Sequence, residues 1–84
     1  MTAPDSPSLV TQMVLAEKHG LRLNVEQLAS VLDMTPGAIL NAISARRFPI
    51  PTYVDGKRRY ADFRDVAAYL DGRREQARRA ALRA

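Results

Sequence analysis

The chain contains no cysteine, no tryptophan and a single histidine among its 84 residues. Without cysteine there are no disulfides, thiolate metal ligands or thiol nucleophiles. His19 has no partners at the spacing that a metal site or a nucleophilic triad needs, and no glycine-rich phosphate loop is present. The carboxylates are scattered over positions typical of caps and turns. This inventory predicts a protein that is not an enzyme and that needs no cofactor.

Long apolar runs are missing too. None approaches the roughly 20 residues that cross a bilayer, and no charged segment followed by an apolar block opens the chain. We therefore expect a cytoplasmic protein without a membrane segment. Hydrophobic residues make up 46% of the chain and charged residues 26%, which favours one small globular domain over disorder.

The charge is unevenly distributed along the chain. Residues 1–42 carry two cations and four acids, a net of −2, whereas residues 43–84 carry eleven cations and five acids, a net of +6. A positive field concentrated in one half is typical of proteins that bind nucleic acid. The second half is therefore expected to contact a polyanion, and a cytoplasmic protein that binds DNA is expected to be associated with the nucleoid.

A short amphipathic helix is predicted directly after Asn24. Asn24 suits an N-cap, and Gln27 three residues later completes a capping box. The apolar residues that follow have the spacing i, i+3, i+4, i+7 of one helix face, namely Val25, Leu28, Ala29 and Leu32.

A second helix is predicted after a tight turn at Asp33 and Met34. Thr35 is its N-cap, and Pro36 fits the first helical position because the N–H missing there has no intrahelical acceptor. A helix that stops, turns and restarts within a few residues is typical of a helix-turn-helix, which we place at residues 24–46.

The outward face of the second helix is the predicted DNA-reading surface. Ile39, Ala42 and Ile43 share the face that packs on the first helix, and Asn41 is placed for a bidentate contact with adenine. Leu40 lies either at the helix edge or against a thymine methyl group. The candidate DNA-binding residues of this segment are Thr35, Gly37, Ala38, Asn41, Ser44, Arg46 and Arg47.

A hairpin wing is predicted over residues 50–60. Prolines on both sides of Ile50 exclude helix, a strand over residues 52–54 follows, and Asp55-Gly56 is a type I′ turn signal. That turn would pair Val54 with Lys57 and Tyr53 with Arg58. The candidate DNA contacts of the wing are Lys57, Arg58 and Arg59. Arg59, which is set back from the tip, is the best suited of the three to a structural role.

Two segments precede the helix-turn-helix. Residues 1–5 are predicted to be disordered, and a helix over residues 6–19 starts at Ser6-Pro7 and closes at Gly20. This helix either packs on the domain or contacts a second subunit, through an apolar face of Leu9, Val10, Met13 and Val14. Residues 21–23 form either a short strand or an extended connection.

Two further segments follow the wing. Asp62 caps a closing helix over residues 62–71, with Phe63, Val66, Ala67 and Leu70 on its buried face. Residues 72–84 form a basic tail that is rich in helix formers but has almost no apolar face, and Gly72 either ends or weakens the helix before it. The tail is either solvated or a phosphate-binding arm that uses Arg73, Arg74, Arg78 and Arg79.

The segment from about residue 22 to residue 71 resembles the winged-helix excisionases and AlpA-type regulators of the wider MerR-like superfamily. In these proteins a helix-turn-helix is followed by an Arg-Phe-Pro-x-Pro link, a short wing and a closing helix. The residues that carry the resemblance are Leu28-Ala29, Thr35-Pro36-Gly37-Ala38-Ile39, Arg47-Phe48-Pro49-Ile50-Pro51, Gly56-Lys57-Arg58-Arg59-Tyr60 and Asp65-Val66-Ala67-Ala68-Tyr69-Leu70. The chain departs from the pattern at Leu40, where many relatives have a basic or polar residue.

The resemblance implies a mainly α winged helix-turn-helix with a small β-hairpin that binds double-stranded DNA. Its first implied function is that of an excisionase, a non-catalytic factor that bends DNA at the attachment sites of a phage or mobile element and assists an integrase. An AlpA-like transcriptional regulator, acting with RNA polymerase, is the second. A homodimer or a cooperative multimer on DNA is expected in either case. A protein-interaction adaptor or antitoxin, whose basic tail meets an acidic partner, is a third expectation from a different class.

Overall fold

The computed structural model describes residues 7–83, with side chains from Leu9 onward. The fold is mainly helical with a small three-stranded antiparallel sheet. The predicted cap at Ser6 and the predicted disorder of residues 1–5 lie outside the described residues. The elements are α1 (Pro7–His19), β1 (Arg22–Asn24), α2 (Val25–Leu32), α3 (Pro36–Ser44), β2 (Tyr53–Asp55), β3 (Arg58–Asp62) and α4 (Phe63–Arg83).

The capping box at the start of α2 is confirmed. The side-chain oxygen of Asn24 accepts from the backbone N–H of Gln27 at 2.8 Å, and the backbone N–H of Asn24 donates to Gln27 Oε1 at 2.9 Å. Both donors would otherwise lack a partner in the helix. Of the predicted apolar stripe, Leu28 and Ala29 are buried and Val25 and Leu32 pack at the margin of the core.

The turn between α2 and α3 is also confirmed. Asp33 ends α2 in the left-handed conformation (φ 56°), and the N–H of Met34 donates to the carbonyl of Ala29 at 2.9 Å. The side chain of Thr35 then accepts from the N–H of Ala38 at 3.1 Å, and Pro36 is the first residue of α3. The second helix ends at Ser44, two residues before the predicted boundary at residue 46.

The sheet has the order β1-β3-β2 and is antiparallel throughout. Residues 21–23, for which a strand or an extended connection was expected, contribute to strand β1. Leu23 of β1 lies opposite Ala61 of β3, and both are fully buried. Asn24 lies opposite Tyr60, so the residue that caps α2 also pairs with the hairpin. Strand β1 thus connects the α2–α3 pair to the hairpin.

The predicted hairpin turn at Asp55-Gly56 is wrong. The loop is Gly56-Lys57, because Asp55 pairs with Arg58 and Tyr53 pairs with Tyr60. Of the two loop residues only Gly56 has a positive φ, 67°, which is the pattern of a type II′ turn rather than type I′. Each residue of β2 therefore lies opposite a residue two positions further along the chain than predicted. Because this shift is an even number, the side chains remain on the faces of the sheet that the predicted pairing implies, and Lys57 lies in the loop at the hairpin tip.

The core is small and receives residues from every helix. Its fully buried side chains come from β1, α2, α3, β3 and α4, and Ile50 contributes from the link between its two prolines, at 2% exposure. The buried residues are Leu15, Leu23, Leu28, Ala29, Ile39, Ile50, Ala61, Val66 and Ala67. The predicted inward faces of α2, α3 and the first half of α4 are therefore confirmed.

The predicted apolar face of α1 does not pack on the domain, because it points to solvent. Its exposed fractions are 47% for Leu9, 62% for Val10, 65% for Met13 and 57% for Val14. The helix docks by its other side, where Leu15 is buried and the hydroxyl of Thr11 donates to Asp71 Oδ1 at 2.8 Å. The surface that α4 offers to α1 carries a carboxylate, and Thr11 supplies the donor that this carboxylate needs.

The predicted helix end at residue 71 is also wrong, because α4 continues to Arg83 as one helix of 21 residues. Val66 and Ala67 are buried and hold the first half of α4 against the core. Because this half is already helical, each later residue extends an existing helix and does not have to nucleate a new one. Residues 72–83 are exposed. The basic segment is therefore helical and solvated, and Gly72 interrupts nothing.

The Asp62 cap of α4 generates a stability prediction. Asp62 Oδ1 accepts from the backbone N–H of Arg64 at 2.7 Å, and the bond to the Arg64 guanidinium keeps the pKa of Asp62 below its ordinary value of 3.8. We expect Asp62→Ala to lower the free energy of unfolding by about 1 kcal/mol at neutral pH, measured by urea denaturation. Because the pKa is depressed in the folded state, this stabilisation is complete above the ordinary pKa and is lost as the pH falls through the folded value.

Asp62→Asn is the matched control, because asparagine keeps the capping acceptor but does not titrate. It should stay close to the wild type near neutral pH and lose less stability than the wild type on acidification. If it loses as much stability as the wild type between about pH 5 and pH 2, Asp62 does not contribute to the acid sensitivity.

Candidate nucleic-acid interface

Helix α3 presents a narrow exposed stripe of small and polar side chains. Ile39 is fully buried on the opposite side, and Ala42 and Ile43 are half-buried beside it. Gly37, Asn41 and Ser44, spaced i, i+4, i+7, share the outward side and are all exposed, as are Thr35 and Ala38. The predicted outward placement of these candidates is confirmed.

A cleft of about 530 Å³ separates α3 from the hairpin. Pro36 and Leu40 line it on the helix side, one turn apart and next to the stripe of small and polar residues. Val54 faces them from the hairpin. Leu40 therefore lies at the helix edge facing the hairpin, with 47% of its surface exposed.

Three cations of the hairpin line the same cleft, namely Lys57, Arg58 and Arg59. Arg59 is half-buried and donates to the hydroxyl of Thr52 at 2.8 Å, which is the structural role expected for it. Lys57 and Arg58 are exposed and form no ion pair with any residue between 7 and 83. Their charges remain available to an anion in the cleft.

Arg22 neutralises the acid nearest to the hairpin loop. Its guanidinium binds Asp55 Oδ2 at 2.7 Å, and this hydrogen bond raises the pKa of Arg22 further above its ordinary value. The guanidinium carbon also lies 3.8 Å from the ring centroid of Tyr60, whose ring is 6.1 Å from that of Tyr53. These contacts hold the hairpin against β1 and cancel a charge that would repel a polyanion.

Arg46 and Arg47 follow the end of α3 at the base of the hairpin. Arg46 lines a second, smaller cavity of about 290 Å³ that also includes Thr52. Thr52 is the acceptor for Arg59, which lines the main cleft. Thr52 therefore links the cavity beside Arg46 to the cleft that Arg59 lines. Within the described chain, neither Arg46 nor Arg47 has an ion-pair partner.

The arginines of the predicted tail are not part of this arrangement. Arg73, Arg74, Arg78 and Arg79 lie on the exposed half of α4, and none of them lines either cavity. Glu75 Oε1 lies 3.9 Å from Arg78 Nη1, and Glu75 Oε2 lies 3.7 Å from Arg79 Nε. Part of the charge of these two arginines is therefore balanced on the helix itself. The tail forms a separate basic surface.

Nothing in the sequence indicates that the start of α2 belongs to the cleft, yet Asn24, Val25 and Glu26 line it. The cap at Asn24 marks where α2 begins, but only the pairing of Asn24 with Tyr60 brings this helix end beside the hairpin. Glu26 is exposed in the cleft, so its carboxylate opposes an incoming anion while the three hairpin cations attract it. The cleft keeps a positive balance.

Among residues 7–83, no group of three or more His, Cys, Asp or Glu side chains could hold a metal ion. No helix in this part of the chain is long and apolar enough to cross a membrane.

Comparison with models of known protein families, with curated proteins and with solved structures finds no match for the chain.

Proposed function

We propose that the protein is a sequence-specific binder of double-stranded DNA, a winged helix-turn-helix in which α2 and α3 form the helix-turn-helix and β2–β3 form the wing. One observation carries the proposal. Pro36 and Leu40, which adjoin the exposed stripe of α3, line the same cleft as the unpaired cations of the hairpin. A duplex that meets the outer face of α3 is then within reach of cations on the hairpin, which is how contacts with the DNA backbone fix the register of a reading helix.

The two borders of the cleft have different tasks in this proposal. Lys57 and Arg58 bind phosphates, which supplies most of the affinity and makes it depend on salt. Asn41 reads an adenine edge in the major groove, and Gly37 and Ala38, at the leading end of α3, let the backbone come close to the bases. Affinity and sequence reading are thereby carried by different elements.

The apolar side chains that line the cleft suit a leucine at position 40, where many proteins of the excisionase and AlpA type have a basic or polar residue. Leu40 and Val54 face each other across the cleft with 47% and 58% of their surfaces exposed. A thymine methyl group or the apolar side of a deoxyribose is the part of DNA that such side chains fit. The reading helix then uses contact with a methyl group where a polar residue would form a hydrogen bond.

The affinity test compares two lysines that differ only in position. Lys57 lines the cleft, whereas Lys18 is exposed on α1 and lines neither cavity. We expect Lys57→Ala to weaken binding to a labelled duplex and to reduce the slope of log K against log salt by about one unit, measured by fluorescence anisotropy over a salt series. Lys18→Ala should leave both values close to those of the wild type.

Thermal melts of both variants should match the wild type, because neither lysine forms an ion pair with a described residue. Equal affinities and equal slopes for the two variants would contradict the assignment of the wing. Absence of any binding to duplex by the wild type at low salt would instead favour the adaptor or antitoxin class.

Several copies are proposed to bind adjacent sites and to contact one another through α1. The support is the exposed apolar stripe of Leu9, Val10, Met13 and Val14, which this chain leaves uncovered within residues 7–83. A domain of this size reads few base pairs, so neighbouring copies add the specificity that one copy lacks. An apolar stripe of this kind is a typical protein contact.

We expect Met13→Glu to abolish self-association on duplex and to make binding isotherms less cooperative, because a carboxylate would be buried without a partner. Sedimentation velocity with and without duplex measures this. Ser30→Glu, at an exposed position of α2, is the control for the added charge. Wild-type cooperativity in Met13→Glu would rule out α1 as the contact.

In the cell, the proposed role is that of an excisionase that bends DNA at attachment sites and assists an integrase. A short domain that gains specificity from several copies and from DNA deformation suits this task. An AlpA-like regulator would use the same contacts at a promoter, with RNA polymerase as its partner.

The expected result is that the protein raises the yield of excised circle in an assay with the neighbouring integrase and its attachment sites, and that Lys57→Ala does so less. A promoter reporter for the adjacent genes is measured in parallel. Unchanged excision together with altered reporter output would replace the excisionase role by that of a transcriptional regulator.

A further inference from the structure

Arg46 occupies the residue position at a helix end where glycine is the usual choice. After α3 its N–H donates to the carbonyl of Ile43 at 3.0 Å, and the N–H of Arg47 donates to the carbonyl of Ala42 at 2.8 Å. These are the two hydrogen bonds of a Schellman motif, whose central residue is left-handed. Arg46 has a φ of 58°.

This conformation is unfavourable for a long side chain, because Cβ approaches the following carbonyl oxygen. Among the described residues with a positive φ, Gly20 and Gly56 have no Cβ, and Asp33 has the short polar side chain that tolerates the conformation. Arg46 is the remaining one. Its side chain is exposed and forms no hydrogen bond or ion pair with residues 7–83, so no polar contact with them explains the arginine.

We propose that Arg46 is kept in a conformation suited to glycine because its guanidinium binds a backbone phosphate of the duplex and thereby sets how α3 sits in the groove. This inference rests on the proposed function. Arg46 lies at the C-terminal end of α3, whereas base edges are reached mainly from the N-terminal end of a reading helix. A phosphate is therefore its partner. The Schellman bonds fix the backbone from which the side chain extends, so the contact is preorganised.

The position of Arg46 relative to the other cations supports the same partner. Arg46 lies at the base of the hairpin, where it lines a cavity together with Thr52, the residue that accepts a hydrogen bond from Arg59. Lys57 lies at the hairpin tip. Cations are therefore present at both the base and the tip of the hairpin rather than at one point. Phosphates along one strand can meet both ends, which fixes an orientation that a single contact would leave free.

The test uses Arg46→Gly, which removes the side chain and the strain together. We expect its melting temperature to rise by about 4 °C, since the steric penalty that the substitution removes is larger than the chain entropy that glycine adds to the unfolded state. We expect its affinity for a labelled random duplex to fall about tenfold at low salt, with the slope of log K against log salt reduced by about one unit.

Asp33→Gly is the matched control, because it places the same residue at the other left-handed non-glycine position of the described chain. It should melt at a higher temperature and bind duplex at least as tightly as the wild type. Arg46→Lys separates charge from geometry. It keeps the strain and the charge, so its salt slope should equal that of the wild type.

Two results would overturn the inference. If Arg46→Gly melts higher and binds as tightly as the wild type, the arginine is strained without serving DNA. If it melts lower, the arginine stabilises the fold. Lys57→Ala in the same titration distinguishes this failure from failure of the proposed function. Weaker binding by Lys57→Ala with unchanged binding by Arg46→Gly removes only the role of Arg46, whereas no binding by the wild type removes both.

Discussion

The pairing of β1 with β3 is the interaction on which the rest of the arrangement depends. Asn24 takes part in it twice, as the last residue of β1 opposite Tyr60 and as the N-cap of α2. The backbone of one residue thus joins the sheet to α2 with no linker between them. Because Leu23 and Ala61 are fully buried at the next pair, this junction lies in the core. The cleft between α3 and the hairpin exists because its two borders share this rigid connection.

The same junction decides which charges remain exposed. It places Arg22 beside the hairpin, where the guanidinium binds Asp55 and covers the ring of Tyr60. Without that contact Asp55 would lie next to Lys57 and Arg58 and reduce the field that they produce. The hairpin strands are too short to be stable as an isolated pair, so pairing with β1 and the contacts of Arg22 supply the additional stabilisation that the hairpin needs. The fold and the electrostatics of the cleft therefore have one cause.

Helix caps, which depend on neighbouring residues, could be predicted from the sequence. The position of the hairpin loop and the side of α1 that docks could not, because they depend on contacts with distant parts of the chain. The caps at Asn24 and Thr35 depend on residues three positions away, and both were predicted correctly. The hairpin loop was misplaced by one residue, because Asp55-Gly56 and Gly56-Lys57 both offer a glycine and only the pairing with β1 and the tyrosine contact favour the second. The periodicity of α1 shows which residues share a face but not that the opposite face would dock.

Small proteins with few buried side chains have little stability to spare, so features that lower it indicate what the chain is selected for. Three such features occur among the described residues: the left-handed Arg46, the buried Asp71 Oδ2 without a partner, and the exposed apolar stripe of α1. Asp71 is explained inside the chain, because its other oxygen holds Thr11 and so sets which side of α1 faces outward. The other two have no such explanation within residues 7–83. Under the proposed function, a phosphate meets Arg46 and a neighbouring copy covers α1, so each gains a favourable contact in the same complex. The isolated chain then corresponds to one part of an assembly whose remaining parts are DNA and further copies of itself.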